Sequence, residues 1–401
     1  MTAHRPAVHQ VLATLGYGDA IGHEVIGIQR VLRTAGYASD IFVETADPRV
    51  EDLTRDYREL VDASHPDNLL LHHFSIGSKA SRTAYAVPDR MALVYHNITP
   101  PEFFARVHPQ LARQCFRGRR ELQAYRNRCE IALGDSAFNR EDLVGLGFAR
   151  TAVLPVIPDL SRLDAPADWF AAAQFDDDWT NILVVGRVIS NKCVEDAIRA
   201  FHVYHTRHNP RSRLIIAGIF SVFERYFASL TDLTRSLGLA HVHFTGHISD
   251  AEVIAYYECA DLLLCMSEHE GFCVPLIEAF YKQVPVLAYA ATAVPATMDG
   301  AGVLVTTKDP AHIAQVMDAV LSDAALQDAI ADAQCAAVDR LQAQDFDHIL
   351  LQHVESALRA PRIGHPHVAF DFWAQFDAFE ALEEVRRYRP SAYAALPEAP
   401  A

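Results

Sequence analysis

The 401-residue chain is short of positive charge, of organised cysteine and of long apolar runs. Lysine and arginine number 35 against 51 aspartates and glutamates, which leaves a formal net charge of −16. So acidic a surface repels polyanions, and a general nucleic-acid-binding role is excluded. The seven cysteines, at 115, 129, 193, 259, 265, 273 and 335, form no C-x-x-C pair. Neither a zinc motif nor a disulfide framework is signalled, and a reducing compartment is expected. No window approaches the roughly 18 uninterrupted apolar residues that a membrane-spanning helix needs. Internal repeats and low-complexity tracts are missing as well. Residues 1–6 lead straight into a strand-like run with no signal-peptide pattern, so the expected location is cytoplasmic. Apolar residues, by contrast, make up 50% of the chain and charged ones 21%. That is enough core to offset chain entropy, which excludes a wholly disordered protein. The length suggests two domains.

The pattern alternates between short apolar runs and longer stretches of helical period. Residues 8–15 read as a strand, followed by a glycine loop and a helix over 21–35 with Ile21, Val25, Ile28 and Leu32 on one face. Strand-like runs follow at 41–43, 69–74, 91–95, 131–133 and 151–154. Pro155, Pro158 and Pro166, with Asp176, Asp177 and Asp178 soon after, mark 155–180 as a hinge. The alternation restarts with strands at 181–185, 213–217, 241–245, 261–265 and 284–287, separated by helices. Strands separated by helices imply right-handed parallel crossovers. The expected fold is therefore α/β, with two doubly wound, Rossmann-like domains facing a cleft. The expected bounds are 1–160, 161–368 and a helical segment, 369–401, packing back on the first domain through Phe370, Phe372, Trp373, Phe376 and Phe379.

Four clusters fall at carboxyl ends of expected strands. The first is Glu270-Gly271-Phe272-Cys273-Val274-Pro275, with Glu278 further along the same helix. Pro275 suits a first helical turn, and the free N–H groups there form a site for an anion or hydroxyl. The bland alternative is two glutamates that complement a helix dipole. The second is Gly186-Arg187, with Lys192 five residues on, a cation pair suited to a leaving diphosphate or else a solvated basic loop. The third runs from Gly16 through Gly18, Asp19 and Ala20 to Gly22. It nearly matches a dinucleotide fingerprint, but its last glycine is one residue late, and a tight turn without a ligand is the equal reading. The fourth is His96-Asn97 after residues 91–95, where cleft residues of open sheets sit; His72-His73 has the same placement. A lone histidine is also a common satisfied core residue.

Two patterns need separate treatment. Asp176–Asp178 and Asp345–Asp347 fit D-x-D, but neither follows a strand, so no metal site is expected. Between 106 and 128 lie seven arginines (106, 113, 117, 119, 120, 126, 128) against the single acid Glu121, a local +6. A basic amphipathic stretch can sit on anionic lipid or grip a phosphate; the alternative is a solvated helix.

Together these residues resemble glycosyltransferase family 4, the retaining nucleotide-sugar enzymes of the GT-B fold. The resemblance rests on Glu270 to Glu278 as a Glu-x7-Glu motif, on Gly186-Arg187 with Lys192, on Gly246-His247 and on Pro285-Val286. It implies that Arg187 and Lys192 hold the donor diphosphate and that Glu278 meets the ribose. Glu270 would meet the transferred sugar beside the N–H groups of Phe272, Cys273 and Val274. The resemblance further sets His96 by the reacting carbon and the Gly18–Gly22 loop with Asn97 by the phosphate and acceptor. It implies no metal and no cofactor beyond a GDP- or UDP-sugar co-substrate. Cys273 and Gln283 depart from the family pattern at positions where glycine is common. The expected activity is transfer of a hexose to a hydroxyl of a sugar, lipid-linked glycan or small metabolite, in the cytoplasm or on the inner face of a membrane. Rivals are a nucleotide-sugar epimerase or phosphorylase, an oxidoreductase using Asp40 or Glu44 for a dinucleotide ribose, and a two-lobed sugar-binding protein.

Overall fold

The computed structural model describes residues 6–156, 158–363 and 390–391. Two all-parallel sheets organise it. The first holds β1 (Val8–Leu15), β2 (Ile41–Ala46), β3 (Thr54–Asp56), β4 (Leu69–Phe74), β5 (Arg90–Tyr95), β6 (Ile131–Gly134) and β7 (Thr151–Val153), in the order β3-β2-β1-β4-β5-β6-β7. The second holds β8 (Thr180–Val185), β9 (Ser212–Ala217), β10 (Val242–Phe244), β11 (Leu262–Cys265), β12 (Val286–Tyr289) and β13 (Val303–Val305), in the order β10-β9-β8-β11-β12-β13. In both sheets the strand order reverses once, between β1 and β4 and between β8 and β11. The central strands are buried on both faces, which is why they read as apolar runs without alternation. β3 and β13, each a three-residue edge strand, are missing from the expected strands; β3, Thr-Arg-Asp, has no apolar residue to signal it.

The apolar core is continuous across the junction of the two sheets, where Phe104 meets Phe223 with ring centroids 6.3 Å apart. The chain also crosses back. The helix Phe346–Arg359 sets Leu350, Val354 and Ala357, at spacings of four and three, among Val8, Ile28, Leu69 and Leu71 of the first sheet's core. Arg90 Nη1 donates to Ala360 O at 2.8 Å and secures its end. Residues 346–359, counted with the second domain in the 161–368 span, thus dock on the first. The expected packing of 369–401 lies outside the described residues.

The helix Val274–Tyr281 closes with Val284 N–H on Ala279 O and Gln283 N–H on Phe280 O, a Schellman closure that favours glycine at position 283. Gln283 sits there at φ 57°, exposed. Left-handed strain of about 1–2 kcal/mol exceeds the unfolded-chain freedom of about 0.4–1 kcal/mol that a glycine adds. Gln283→Gly is therefore expected to raise stability by about 0.5–1 kcal/mol, read as a higher denaturant midpoint at an unchanged slope. A lower midpoint would contradict the strain argument.

Candidate active site

Open α/β sheets bind ligands where strand order reverses, beyond the strands' carboxyl ends. In the second sheet that place is built by the loops after β8 and β11. After β8, Gly186 (φ 131°) turns the chain, Arg187 is exposed, and the single turn Ser190–Lys192 swings Lys192 inward. Arg187 has no ion-pair partner among the described residues. Lys192 Nζ lies 2.5 Å from Glu270 Oε1, with side chains 18% and 9% exposed. Burial opposes the ammonium charge, yet the Glu270 carboxylate more than compensates and holds Lys192 above the ordinary lysine range. Asn191 ties the two loops together, donating to His269 O at 2.9 Å and accepting from Glu268 N–H at 2.9 Å.

The loop after β11 carries Glu270 to the start of the helix Val274–Tyr281. Glu270 N–H donates to Thr292 Oγ1 at 2.9 Å, which pins the loop backbone at Glu270. The N–H groups of Phe272, Cys273 and Val274 find no acceptor among the described residues, as expected at an uncapped helix start. Cys273 stands at φ 81°. Cys273 therefore occupies glycine-type backbone, as Gln283 does. Contact with Cys273 draws the Cys265 thiol down to about 7 against burial, and the same contact with burial pushes Cys273 up. Glu278 is buried; its Oε2 accepts from Tyr257 Oη at 2.8 Å and its Oε1 from Arg162. Each oxygen keeps a second lone pair. Arg162 comes from the linker turn Leu160–Asp164, and nothing in the sequence pattern pointed to it.

The first domain faces this loop closely. His269 Nε2 lies 2.9 Å from Asn97 Oδ1, and Asn97 Nδ2 donates to Asn139 Oδ1 at 2.8 Å. A Cβ on Gly271 would stand 3.2 Å from His96 O, Asn97 Cβ and Asn139 Nδ2, so glycine permits the approach. His96 lies at the end of β5 with Nδ1 3.0 Å from Asp135 Oδ2 and 3.8 Å from Glu24 Oε2. Its Nε2 is 2.9 Å from His73 Nδ1, and His73 Nε2 is 2.9 Å from Gln10 Oε1. Asp135 ends β6 just as His96 ends β5, so the rule that singled out His96 reaches it too. Glu24, one turn into the helix Ala20–Thr34, carried no such signal. His72 points elsewhere, to Ser81 Oγ at 3.1 Å, and burial drives it down to about 3.

The buried His96, Glu24 and Asp135 share charge. Burial works against the imidazolium, but Asp135 and then Glu24 overcome it and lift His96 to about 9. Burial and Asp135 push Glu24 up to about 8, with His96 opposing. Protonated His96 contributes stability that is whole below its ordinary 6.5 and is lost as pH rises through about 9. Protonated Glu24 contributes stability that is whole below its ordinary 4.5 and is lost as pH rises through about 8. The melting temperature is therefore expected to fall as pH rises across that window. Glu24→Gln, which cannot ionise, should flatten the fall; melting curves at both ends of the window check this, and an unchanged slope would remove Glu24 from the account.

Other expected residues sit differently. Asp19 caps the helix Ala20–Thr34, accepting from Gly22 N–H at 2.7 Å, and a Cβ on Gly22 would lie 2.2 Å from Gly16 O. The spacing of the loop thus serves a tight turn, with Gly18 and Ala20 exposed on it. Gly246 and exposed His247 follow β10, two strands from the reversal point. Of the acids weighed for a dinucleotide, Asp40 precedes β2 at the wrong sheet edge and pairs with Arg55 at 3.0 Å. Glu44 accepts from Ala80 N–H at 2.6 Å. In the D-x-D patterns, Asp177 and Asp178 pair with Arg213 and Arg211, and Asp345 caps the helix Phe346–Arg359. The arginines of 106–128 do not share one face. Arg128 is buried and donates to Tyr85 O, Val87 O and Asp89 O, Arg119 reaches Ile98 O at 3.0 Å, and Arg106, Arg120 and Arg126 are exposed.

Two facing Rossmann-like domains with this cleft define the GT-B fold. Residues 167–334 match the family model described as glycosyl transferases group 1. An uncharacterised glycosyltransferase of Methanocaldococcus jannaschii is 33% identical over 150 residues, 37% of each chain. A serotype-specific mannosyltransferase of Escherichia coli is 27% identical over 146 residues, 36% of this chain and 18% of the relative. The matches thus span well under half of these curated relatives. Among solved structures, an Anabaena protein in complex with UDP-glucose superposes with a TM-score of 0.68 at 16% identity, over 88% of this chain and 100% of that one. Sucrose-phosphate synthase from Thermosynechococcus elongatus gives 0.66 at 17% identity, over 88% and 98%. At these identities the likeness is one of fold.

Proposed function

We propose that the protein is a retaining glycosyltransferase of the family 4 type, moving a hexose from a UDP- or GDP-sugar to a hydroxyl acceptor in polysaccharide, glycolipid or glycoconjugate synthesis. The observation that carries the reading is the buried Lys192–Glu270 pair beside exposed Arg187, set opposite His96 and Asn97 across a closed cleft. An exposed guanidinium, a buried ammonium and three N–H groups without acceptors converge where a diphosphate would lie. The Anabaena complex with UDP-glucose belongs to a protein of the same fold, which favours a nucleotide sugar as donor.

In this reading the bond between the anomeric carbon and a diphosphate oxygen breaks while the acceptor oxygen bonds to that carbon from the same face. The acceptor proton passes to the departing phosphate oxygen. Negative charge grows on the leaving group, so Arg187 and Lys192 act mainly in the transition state. Glu270 accepts from sugar hydroxyls. Glu278 offers its remaining lone pairs to the ribose, while Arg162 and Tyr257 hold it still. His96, kept protonated chiefly by Asp135, lies by the sugar with its two ring nitrogens held by Asp135 and His73. The reaction needs no metal, so transfer in excess chelator is part of the proposal.

A thermal-shift screen of UDP, GDP, ADP and TDP and then their sugars tests the donor; a ligand at 100 times its dissociation constant adds about 2.7 kcal/mol. Release of nucleoside diphosphate only when an acceptor is added, with retained anomeric configuration by NMR, is the expected result. Donor conversion without acceptor would favour an epimerase instead. The same reading sets the enzyme in the cytoplasm or on the inner face of a membrane, touching anionic lipid through Arg106, Arg120, Arg126 and Phe116, which is 54% exposed. No helix among the described residues is long and apolar enough to cross a membrane. Flotation with phosphatidylglycerol liposomes is expected at low salt and lost at high salt; no flotation at low salt would sink the membrane contact.

A further inference from the structure

We propose that Cys265, Cys273 and Glu270 form a binding site for a soft divalent cation such as Zn²⁺, and that its occupancy withdraws Glu270 from donor binding. The second half rests on the glycosyltransferase reading; the first does not. Cys265 is the last residue of β11 and Cys273 the first before the helix Val274–Tyr281, so a strand end and a helix start bring together two thiols eight residues apart. One ligand atom from each of the three residues lies within 4.8 Å of the others.

The sulfur spacing decides what the pair is suited to. The two Sγ atoms are 4.0 Å apart. A tetrahedral cation with Zn–S bonds of about 2.3 Å holds two sulfurs about 3.8 Å apart. A disulfide needs about 2.05 Å, which would pull the strand end and the helix start together by roughly 2 Å. The observed sulfur spacing fits a bridging ion almost without movement.

Charge balance agrees. Two thiolates and the Glu270 carboxylate carry three negative charges; the Lys192 ammonium and a divalent ion carry three positive ones. Binding forms two metal–sulfur bonds and one metal–oxygen bond and releases two thiol protons to solvent. Lys192 engages Glu270 through Oε1, and the carboxylate has a second oxygen for the ion. The nearby grouping of Cys193, Asp196 and Glu268 is less suited: it offers one sulfur, and Lys308 already binds both acids, at 2.9 and 2.8 Å. The set of Glu24, His96 and Asp135 has no sulfur.

The test uses the full chain, reduced with a phosphine and titrated with Co²⁺ under anaerobic conditions. A thiolate-to-cobalt charge-transfer band is expected to saturate at one equivalent and to be bleached by one equivalent of Zn²⁺. It should vanish in Cys265→Ser and in Cys273→Ser and persist in Cys193→Ser. No band, or a band that survives both serine variants, overturns the site. Should either variant fail to fold, the wild-type protein answers through mass-mapped alkylation with iodoacetamide. Zn²⁺ should slow labelling of Cys265 and Cys273 about 10-fold or more, and an unchanged rate overturns the site. Both readouts are independent of catalysis, so an inactive transferase with an intact band separates the two proposals.

Discussion

Turnover in Lys192→Ala is expected to fall about 100-fold or more, the loss typical when a group stabilising transition-state charge is removed. Lys192 is the half-buried cation of the cleft, and its only described anionic partner is Glu270 at 2.5 Å. On the proposed mechanism, removing it costs the leaving diphosphate an ammonium; it also leaves Glu270 without its ion-pair partner in a largely dry site. Glu270→Ala should lose a similar factor by a different route, since it removes the sugar contact and sets Lys192 free. The two residues act as a unit, so the double variant should fall well short of the product of the single losses. Steady-state kinetics on the three variants, with melting curves to confirm folding, decide the matter. Wild-type kcat in both single variants would end the proposed mechanism.

Arg162→Ala is expected to cost about 3 kcal/mol of stability and to raise KM for the donor with a smaller change in kcat. The linker arginine is the cationic partner of Glu278, which is buried with Tyr257 on its other oxygen. Removing one member of a buried ion pair typically costs about 3–5 kcal/mol because the survivor keeps its charge without its partner. The lower end applies here, because the arginine itself is partly solvated. Glu278→Gln in the same background should recover much of the loss, since the stranded charge is gone. Denaturant melts of the two variants measure this. An Arg162→Ala protein as stable as wild type, with an unchanged KM, would show that the linker contributes nothing to the donor site.

How much of the site could be read beforehand follows from the range of each interaction. Lys192, Arg187, Glu270 and Glu278 all lie within a few residues of a strand end or helix start, where local pattern and turn chemistry locate them. His96 was found in the same way, and Asp135 obeys the same rule one strand further on. Glu24 and Arg162 obey no local rule. Each sits mid-element or in a linker, and each acquires meaning only through a partner 72 or more residues away, His96 for one and Glu278 for the other. The arginine-rich stretch shows the converse: seven like charges read as one surface, whereas folding buries one, directs another to backbone and leaves only some in solvent.

The sequence by itself determined the alternation of strand and helix, the division near residues 155–180 and the loops in which chemistry could sit. These follow from hydrophobic period, proline placement and helix-start residues, which act over one or two turns of chain. Tertiary structure decided the rest. It set Lys192 against Glu270, surrounded His96 with two carboxylates and a second histidine, and carried the helix Phe346–Arg359 back to the first sheet. Such pairings depend on strand order and on the closing of one sheet against the other, and no local period encodes either.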